Sequence, residues 1–226
     1  MTLMQGDGGH RGDGIVPRRS EERLLLDEER HRTCNEVAAA LAAMRLASSN
    51  RSPEVRRRLI ETAIDRLEGF GETQRLLSAR IPAIADAGAA IEALCRAVVA
   101  ARTANAPTHV TLRLPLLEAP GEAVHRMQLV CYELVNNALK HAFDGRGGSL
   151  EVVLERLDDN LVLTVADDGP GFASSRTAGT RLGSGIVSDI IARAGGSMEC
   201  DSSPHGSTIH VSLPFDPSVI ARCARD

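Results

Sequence analysis

Four polar residues recur at helical spacing in the segment YELVNNALKHA, residues 132–142. Glu133, Asn137, Lys140 and His141 stand at i, i+4, i+7 and i+8, so they share one face of a helix. An asparagine amide oxygen on such a face suits Mg²⁺, a hard ion that is usually shared with phosphate groups. A salt-bridged face turned to solvent explains the same spacing without any binding, and this segment alone leaves both interpretations open.

Two glycine-bearing segments follow. In VADDGPGF, Asp167 ends a run typical of a strand and is followed by Gly169 and Gly171. An ionised carboxylate only accepts hydrogen bonds, so it can recognise an exocyclic amine such as that of adenine, and glycine lets the backbone approach a flat ring. In RLGSGIVSDII, Gly183 and Gly185 precede a helix, whose free N–H groups attract phosphates. Taken singly, both segments also fit ordinary turns.

The elements around these segments predict an α+β domain over residues 86–216. Helices are predicted over 88–104 and 121–141, with strands at HVTLRLP, SLEVVLERL and LVLTVADD. The segments GSMECDSS and GSTIHVSLPF form another strand pair, and the helix GIVSDIIARAGG lies before them. Because strands and helices do not alternate strictly, an open sheet with helices on one face is expected. The preceding segment, IPAIADAG, reads as a linker.

A helical hairpin is predicted over residues 20–81. Ser20 begins the first helix, and Ser52 with Pro53 begins the second. Gly69 and Gly71 are poor helix formers, so a kink or break near them is left open. The apolar stripes are Leu26, Thr33, Val37, Ala40, Leu41 and Met44 on the first helix, and Val55, Leu59, Ala63, Leu67, Phe70 and Leu77 on the second.

In this order and at this spacing, the three polar motifs resemble the N, G1 and G2 boxes of the ATPase domain shared by histidine kinases, gyrase and Hsp90, known as the Bergerat fold. The resemblance implies ATP and Mg²⁺ as cofactors, Asn137 as the Mg²⁺ ligand and Asp167 as the reader of adenine. It implies that Gly169, Gly171, Gly183 and Gly185 shape the pocket and its lid. Further candidates implied by the resemblance are Glu133 for catalysis and Lys140, His141 and Ser207 for nucleotide binding.

The segment HRTCN, residues 31–35, resembles the H-box of the HRxxN-type histidine kinases, the second-type and HWE-related families. The resemblance implies that His31 is the phosphoacceptor. Helical geometry places His31 roughly 110° from the centre of the apolar stripe, so it is not expected in a core. Asp27, Glu28 and Asn35 share its face, and we favour Glu28 as the proton acceptor without settling that assignment, since Arg32 stands where the common H-box has an acid. A solvated surface histidine is the alternative.

Composition excludes several classes of function. Aromatic residues make up 2% of the 226, which leaves little for stacking on nucleic-acid bases. The formal net charge of −4 gives no general attraction to nucleic acid or to an anionic membrane. No apolar run approaches a membrane span, and residues 1–19 lack a signal peptide's apolar segment and suggest a disordered tail. The five scattered cysteines are expected to be reduced thiols in a cytoplasmic protein, most of them in the core.

We therefore expect a soluble histidine kinase without its own sensor domain. It would form a homodimer through a four-helix bundle of paired hairpins, take its signal from an upstream sensor, and pass its phosphoryl group to a response-regulator receiver. Residues 217–226 are expected to be a C-terminal tail. The alternatives are a non-catalytic phosphotransfer or adaptor protein, a receiver phosphatase, and an anti-sigma-factor serine kinase.

Overall fold

The computed structural model describes residues 21–102, 108–143, 147–171 and 186–223, with the backbone alone at 21–32, 141–142 and 186. Two long helices come first: α1 is Glu21–Ser49 and α2 is Pro53–Ser78. Ser52 caps α2, because its hydroxyl accepts the Val55 N–H, and Pro53 occupies the first turn as predicted. The two helices pack against each other as an antiparallel hairpin.

Small side chains form the contact between α1 and α2. Ala40, Ala47 and Ala63 are buried there. The larger members of the predicted stripe on α1, namely Val37, Leu41 and Met44, are 43%, 47% and 41% exposed. Ile60 and Ile64 on α2 are exposed to a similar extent. The apolar residues of the hairpin therefore form two surfaces: a narrow stripe of alanines that is buried between α1 and α2, and a wider aliphatic face that is not buried in the single chain.

Helix α2 also packs on α3, Ala87–Arg102, the first helix of the second domain. α2 is continuous through Gly69 and Gly71, so the break left open by the sequence does not occur. Gly69 lies directly on α3, and a Cβ atom there would stand 2.7 Å from the Cβ of Ala101. This glycine therefore serves close helix packing at the cost of some helix propensity.

A five-stranded sheet forms the centre of the second domain. Its strands are β2 (Thr108–Arg113), β4 (Gly148–Leu157), β5 (Asn160–Asp167), β6 (Ser197–Ser203) and β7 (Gly206–Pro214), in the spatial order β2-β4-β5-β7-β6. β2 pairs with β4 in parallel, and the other pairs are antiparallel. Within the described residues β6 is an edge strand.

Helices cover one face of this sheet. α4 (Gly121–Asn137) continues into a π-helical turn, Ala138–Ala142, and α5 is Ile186–Ala194. Both pack on the sheet, and α3 packs on α4. Buried aliphatic residues from alternate strand positions, such as Leu150, Leu163 and Val211, form the core beneath them. The predicted α+β class, with helices on one face of an open sheet, is confirmed.

Two small elements differ from the sequence prediction. The expected linker at 81–88 contains strand β1, Ile84–Asp86, which pairs antiparallel with β3, Glu118–Pro120. Asp86 secures the junction, since its Oδ1 accepts the N–H groups of Gly88 and Leu117, each at 3.0 Å. The expected C-terminal tail contains a short helix, α6, Ser218–Cys223.

The cysteines are free thiols, as predicted, but most of them are not core residues. Cys95 and Cys131 are buried with their sulfur atoms 3.6 Å apart, between α3 and α4. Cys34, Cys200 and Cys223 are exposed, and they lie on α1, on the edge strand β6 and on the last helix. Over the parts of the chain that the structure describes, we find no helix with the length and apolar character to cross a membrane.

Candidate functional site

Asp167 stands at the end of β5, half-buried on the side of the sheet that the helices cover. Its Oδ1 accepts the N–H of Gly169 at 3.0 Å, and the backbone of Ser207 also hydrogen-bonds to the carboxylate. Burial raises the pKa of the Asp167 carboxyl above its ordinary value, and the charge of Asp168 acts in the same direction, whereas the two backbone hydrogen bonds oppose the rise. The result is a fixed, partly desolvated acceptor.

The β6–β7 turn holds Asp167 in place. Ser207 lies opposite Asp167 in the antiparallel register and is buried, with its hydroxyl 3.2 Å from that of Ser202. Gly206 has a φ of +143°, and a Cβ atom there would stand 2.2 Å from the backbone oxygen of Asp167. The position of the carboxylate is therefore built by β7 as much as by β5.

The segment after Asp167 is anchored on both sides. Asp168 accepts the N–H of Ser149 at 2.8 Å, which ties the end of β5 to β4. Gly171 has a φ of +63°, as expected for a glycine of this motif, and a Cβ atom there would stand 2.0 Å from the backbone oxygen of Ser203. The close approach that requires glycine at 171 is thus to the chain's own β6. Gly169 is buried beside the carboxylate.

The polar residues of α4 are not a solvated face. Glu133 is only 4% exposed, and Asn137 is half-buried. Lys140 is exposed, because the π-helical turn that begins at Ala138 changes the phase of the helix after Asn137. The predicted single face therefore holds for Glu133 and Asn137 and ends before Lys140. The backbone of His141 lies in the π-helical turn.

Asn137 is the candidate metal ligand. Its amide nitrogen is buried without a hydrogen-bond partner among the described residues. Because the oxygen and nitrogen of an amide are assigned from their hydrogen bonds, the same position can present the amide oxygen instead. Mg²⁺ usually takes one or two protein oxygens together with phosphate oxygens and water. One amide oxygen is compatible with that coordination, and the described residues contain no group of three or more His, Cys, Asp or Glu that could hold a metal.

The structure brings two of the predicted motifs to neighbouring elements, since α4 packs directly on β5. Gly183 and Gly185 lie outside the described residues. The backbone of His31 and of Glu28 lies in α1, and Asn35, on the same helix, is exposed. These assignments remain predictions.

Sequence reasoning missed a set of charged residues at the contact between the hairpin and the second domain. Glu36 is buried and pairs with Arg66 and Arg102. No local signal marks it, because a glutamate in a charged helix is ordinarily solvated and its partners are distant in sequence.

Comparisons with known proteins agree with this geometry. Residues 122–217 match the family model described as histidine kinase-, DNA gyrase B-, and HSP90-like ATPase. The C4-dicarboxylate transport sensor protein DctB of Rhizobium meliloti is 29% identical over 209 residues, which cover 79% of this chain and 33% of that protein. Blue-light-activated histidine kinase 2 of Erythrobacter litoralis is 24% identical over 202 residues, covering 84% of this chain and 57% of that protein.

A solved structure shares the fold. The histidine kinase domain of a blue-light-activated histidine kinase from Erythrobacter litoralis superposes with a TM-score of 0.52 at 18% identity, over 83% of this chain and 98% of that one. The chain spans between a third and somewhat over half the length of the two curated relatives described above. The match and the fold agree: residues 122–217 are similar in sequence to the histidine kinase-, DNA gyrase B- and HSP90-like ATPase family, and the chain shares the fold of a solved histidine kinase domain.

Proposed function

We propose that the chain is an ATP-dependent protein-histidine kinase of two-component signalling. The observation that carries the nucleotide part is the half-buried Asp167 carboxylate, held by backbone hydrogen bonds from Gly169 and Ser207. Its remaining lone pairs would accept the exocyclic amine of adenine. The amide oxygen of Asn137 would bind Mg²⁺, whose charge, once bound, offsets that of the phosphates. Glu133, Lys140, His141 and the glycines at 183 and 185 are the further candidates of this site.

The phosphoacceptor in this proposal is His31. One ring nitrogen attacks the γ-phosphorus, the bond from that phosphorus to the bridging oxygen of ADP breaks, and the other ring nitrogen gives its proton to a carboxylate. Glu28 lies three residues before His31 on α1, and Asn35 lies four after it, so helical spacing brings both near the same face. The names of the two relatives, a transport sensor protein and a blue-light-activated histidine kinase, support a histidine kinase function in general.

The aliphatic face of the hairpin supports a homodimer. Val37, Leu41 and Met44 on α1 with Ile60 and Ile64 on α2 leave apolar surface uncovered in the single chain. A second copy of the hairpin would bury this surface in a four-helix bundle. We further propose that phosphorylated His31 donates to an aspartate of a separate response-regulator receiver, and that an upstream sensor supplies the signal.

Incubation of the full chain with labelled ATP and Mg²⁺ tests the proposal. We expect label on the wild-type protein that is lost in acid and kept in alkali, as for a histidine phosphoramidate. His31→Ala should bind ATP as the wild type does and take up no label. Equal uptake by this variant, or a label stable in acid and lost in alkali, would instead support the serine kinase. Label that no receiver of the same organism removes would refute the two-component assignment.

A further inference from the structure

A buried carboxylate joins three helices that belong to two domains. Glu36 on α1 is within 2.9 Å of the guanidinium of Arg66 on α2 and within 2.8 Å of that of Arg102 on α3. Its side chain is 10% exposed, and those of the two arginines are 26% and 24% exposed. Charges this far from water interact more strongly than a surface pair, and removing one partner leaves the others poorly compensated.

The same contact is the seam between the hairpin and the ATPase domain. Gly69 brings α2 close to Ala101, one residue before Arg102. A cavity of about 20 Å³ lies beside the ion pairs, and Glu36, Arg102 and Asn136 are among the residues that line it. Asn136 is the neighbour of the candidate metal ligand Asn137. The seam therefore extends from the acceptor helix to the helix of the nucleotide site.

Polar groups at this seam are incompletely paired by the protein. Nε of Arg66 and Oδ1 of Asn136 are both buried without a hydrogen-bond partner among the described residues. Opening the seam exposes both to water, which would pair them and hydrate the three charges of the cluster. This compensation makes the seam suited to open and close, unlike an apolar contact of the same size.

The position of Glu36 on α1 relates the opening of the seam to the access of the second domain to His31. Position 31 lies five residues before position 36, so the two are about 140° apart around the helix axis. Arg102 holds the ATPase domain on the Glu36 side of α1. A domain held on the Glu36 side of α1 is held away from position 31. A nucleotide bound at Asp167 would therefore reach His31 of its own chain more freely once the domain leaves the Glu36 side.

We propose that the Glu36–Arg66–Arg102 cluster is an ionic latch that restrains the ATPase domain on the hairpin, and that its opening accelerates phosphorylation of His31. The latch itself stands on the contacts described above. Its effect on rate rests on the proposed kinase function. Arg66 pairs with Glu36 within the hairpin, whereas Arg102 pairs with it across the seam, so the Glu36–Arg102 ion pair is the part of the cluster that joins the two domains.

Distance measurements on the full chain test the latch without any kinase assay. Spin labels on the exposed Cys34 of α1 and Cys223 of α6, with Cys200→Ser and an excess of unlabelled chain, report the separation of hairpin and domain within one molecule. Glu36→Gln and Arg102→Gln should each broaden and lengthen the distance distribution, whereas Arg66→Gln should leave it near that of the wild type. The double variant Glu36→Gln/Arg102→Gln should be no broader than either single one.

Glu72→Gln is the matched control, since it removes an exposed ion pair with Arg75 inside α2 alone. The latch would be overturned if the distance distribution of Glu36→Gln were the same as that of the wild type. It would also be overturned if Glu72→Gln broadened and lengthened the distribution as much as Glu36→Gln does. In the kinase arm, Glu36→Gln without labels should take up phosphate several-fold faster at unchanged ATP affinity. A slower or unchanged rate would overturn the restraining role. Should the wild type take up no label at all, the proposed function would fail while the distance arm still decides the latch.

Discussion

Replacing Asp167 with asparagine tests the candidate adenine contact directly. The carboxylate now accepts hydrogen bonds from the backbone of Gly169 and Ser207, and we propose that it also accepts the adenine amine. Asparagine offers one oxygen and a donating NH₂ group in place of two oxygens. If the oxygen stays with the backbone N–H groups, the NH₂ group faces the adenine amine. If the amide rotates by half a turn, the NH₂ group faces the backbone N–H donors instead. In either orientation a donor meets a donor.

The expected loss follows from the charge of the acceptor. A hydrogen bond to a charged group contributes about 1.5–3 kcal/mol, which corresponds to a roughly 10- to 150-fold increase in Kd. Isothermal titration of the full chain with a non-hydrolysable ATP analogue and Mg²⁺ measures this change. The thermal midpoint without nucleotide checks that the variant is folded.

Asp168→Asn provides the matched control for this experiment. Asp168 is exposed and accepts the Ser149 N–H, a bond that an asparagine oxygen can keep. Its affinity should therefore stay within a few-fold of the wild type. Wild-type affinity in Asp167→Asn would remove Asp167 from the adenine site, and equal losses in both variants would point to a general effect of charge rather than to a specific contact.

Three further outcomes follow from the structure. Because burial raises the pKa of Asp167, protonation should weaken ATP binding as the pH falls, beginning at a higher pH than for an ordinary aspartate, and the Kd measured across the acid range checks this. Gly171→Ala should lower the free energy of unfolding more than Gly195→Ala does, as compared by urea denaturation. The positive φ costs about 1–3 kcal/mol at either position, but only a Cβ atom at residue 171 also clashes with β6, since residue 195, with a φ of +68°, has open space around it. Leu41→Glu should make the protein monomeric in sedimentation, whereas Leu116→Glu, at an exposed apolar position of the ATPase domain, should not.

The sequence predicts the fold well where the signal is local. The cap at Ser52, the helical periodicity and the strand patterns depend on near neighbours, and the structure follows them. The pair β1–β3 was missed because each strand has three residues, and the register depends on a partner more than thirty residues away. A period of two cannot be recognised in three residues.

The candidate site shows the same limit. Residue types at Asp167 and Asn137 suggest their chemistry, but the burial of Glu133 and the phase change after Ala138 depend on how α4 packs on the sheet. Periodicity also cannot say whether an apolar residue such as Leu41 is covered by its own chain or by another. The cluster of Glu36 needed partners thirty and sixty-six residues away, and no pattern in the sequence joins them.

The position of β6 at the edge of the sheet has a consequence for self-association. An edge strand presents unpaired N–H and C=O groups along one side, to which a strand of another molecule can add. Glu199 and Asp201 lie on the same face of β6, and both are exposed. A second β6 pairing along this edge would bring like carboxylates together on that face, and their repulsion disfavours the open-ended sheet growth that leads to aggregates. The acidic side chains of β6 thus disfavour the addition of a second copy of this strand at the edge of the sheet.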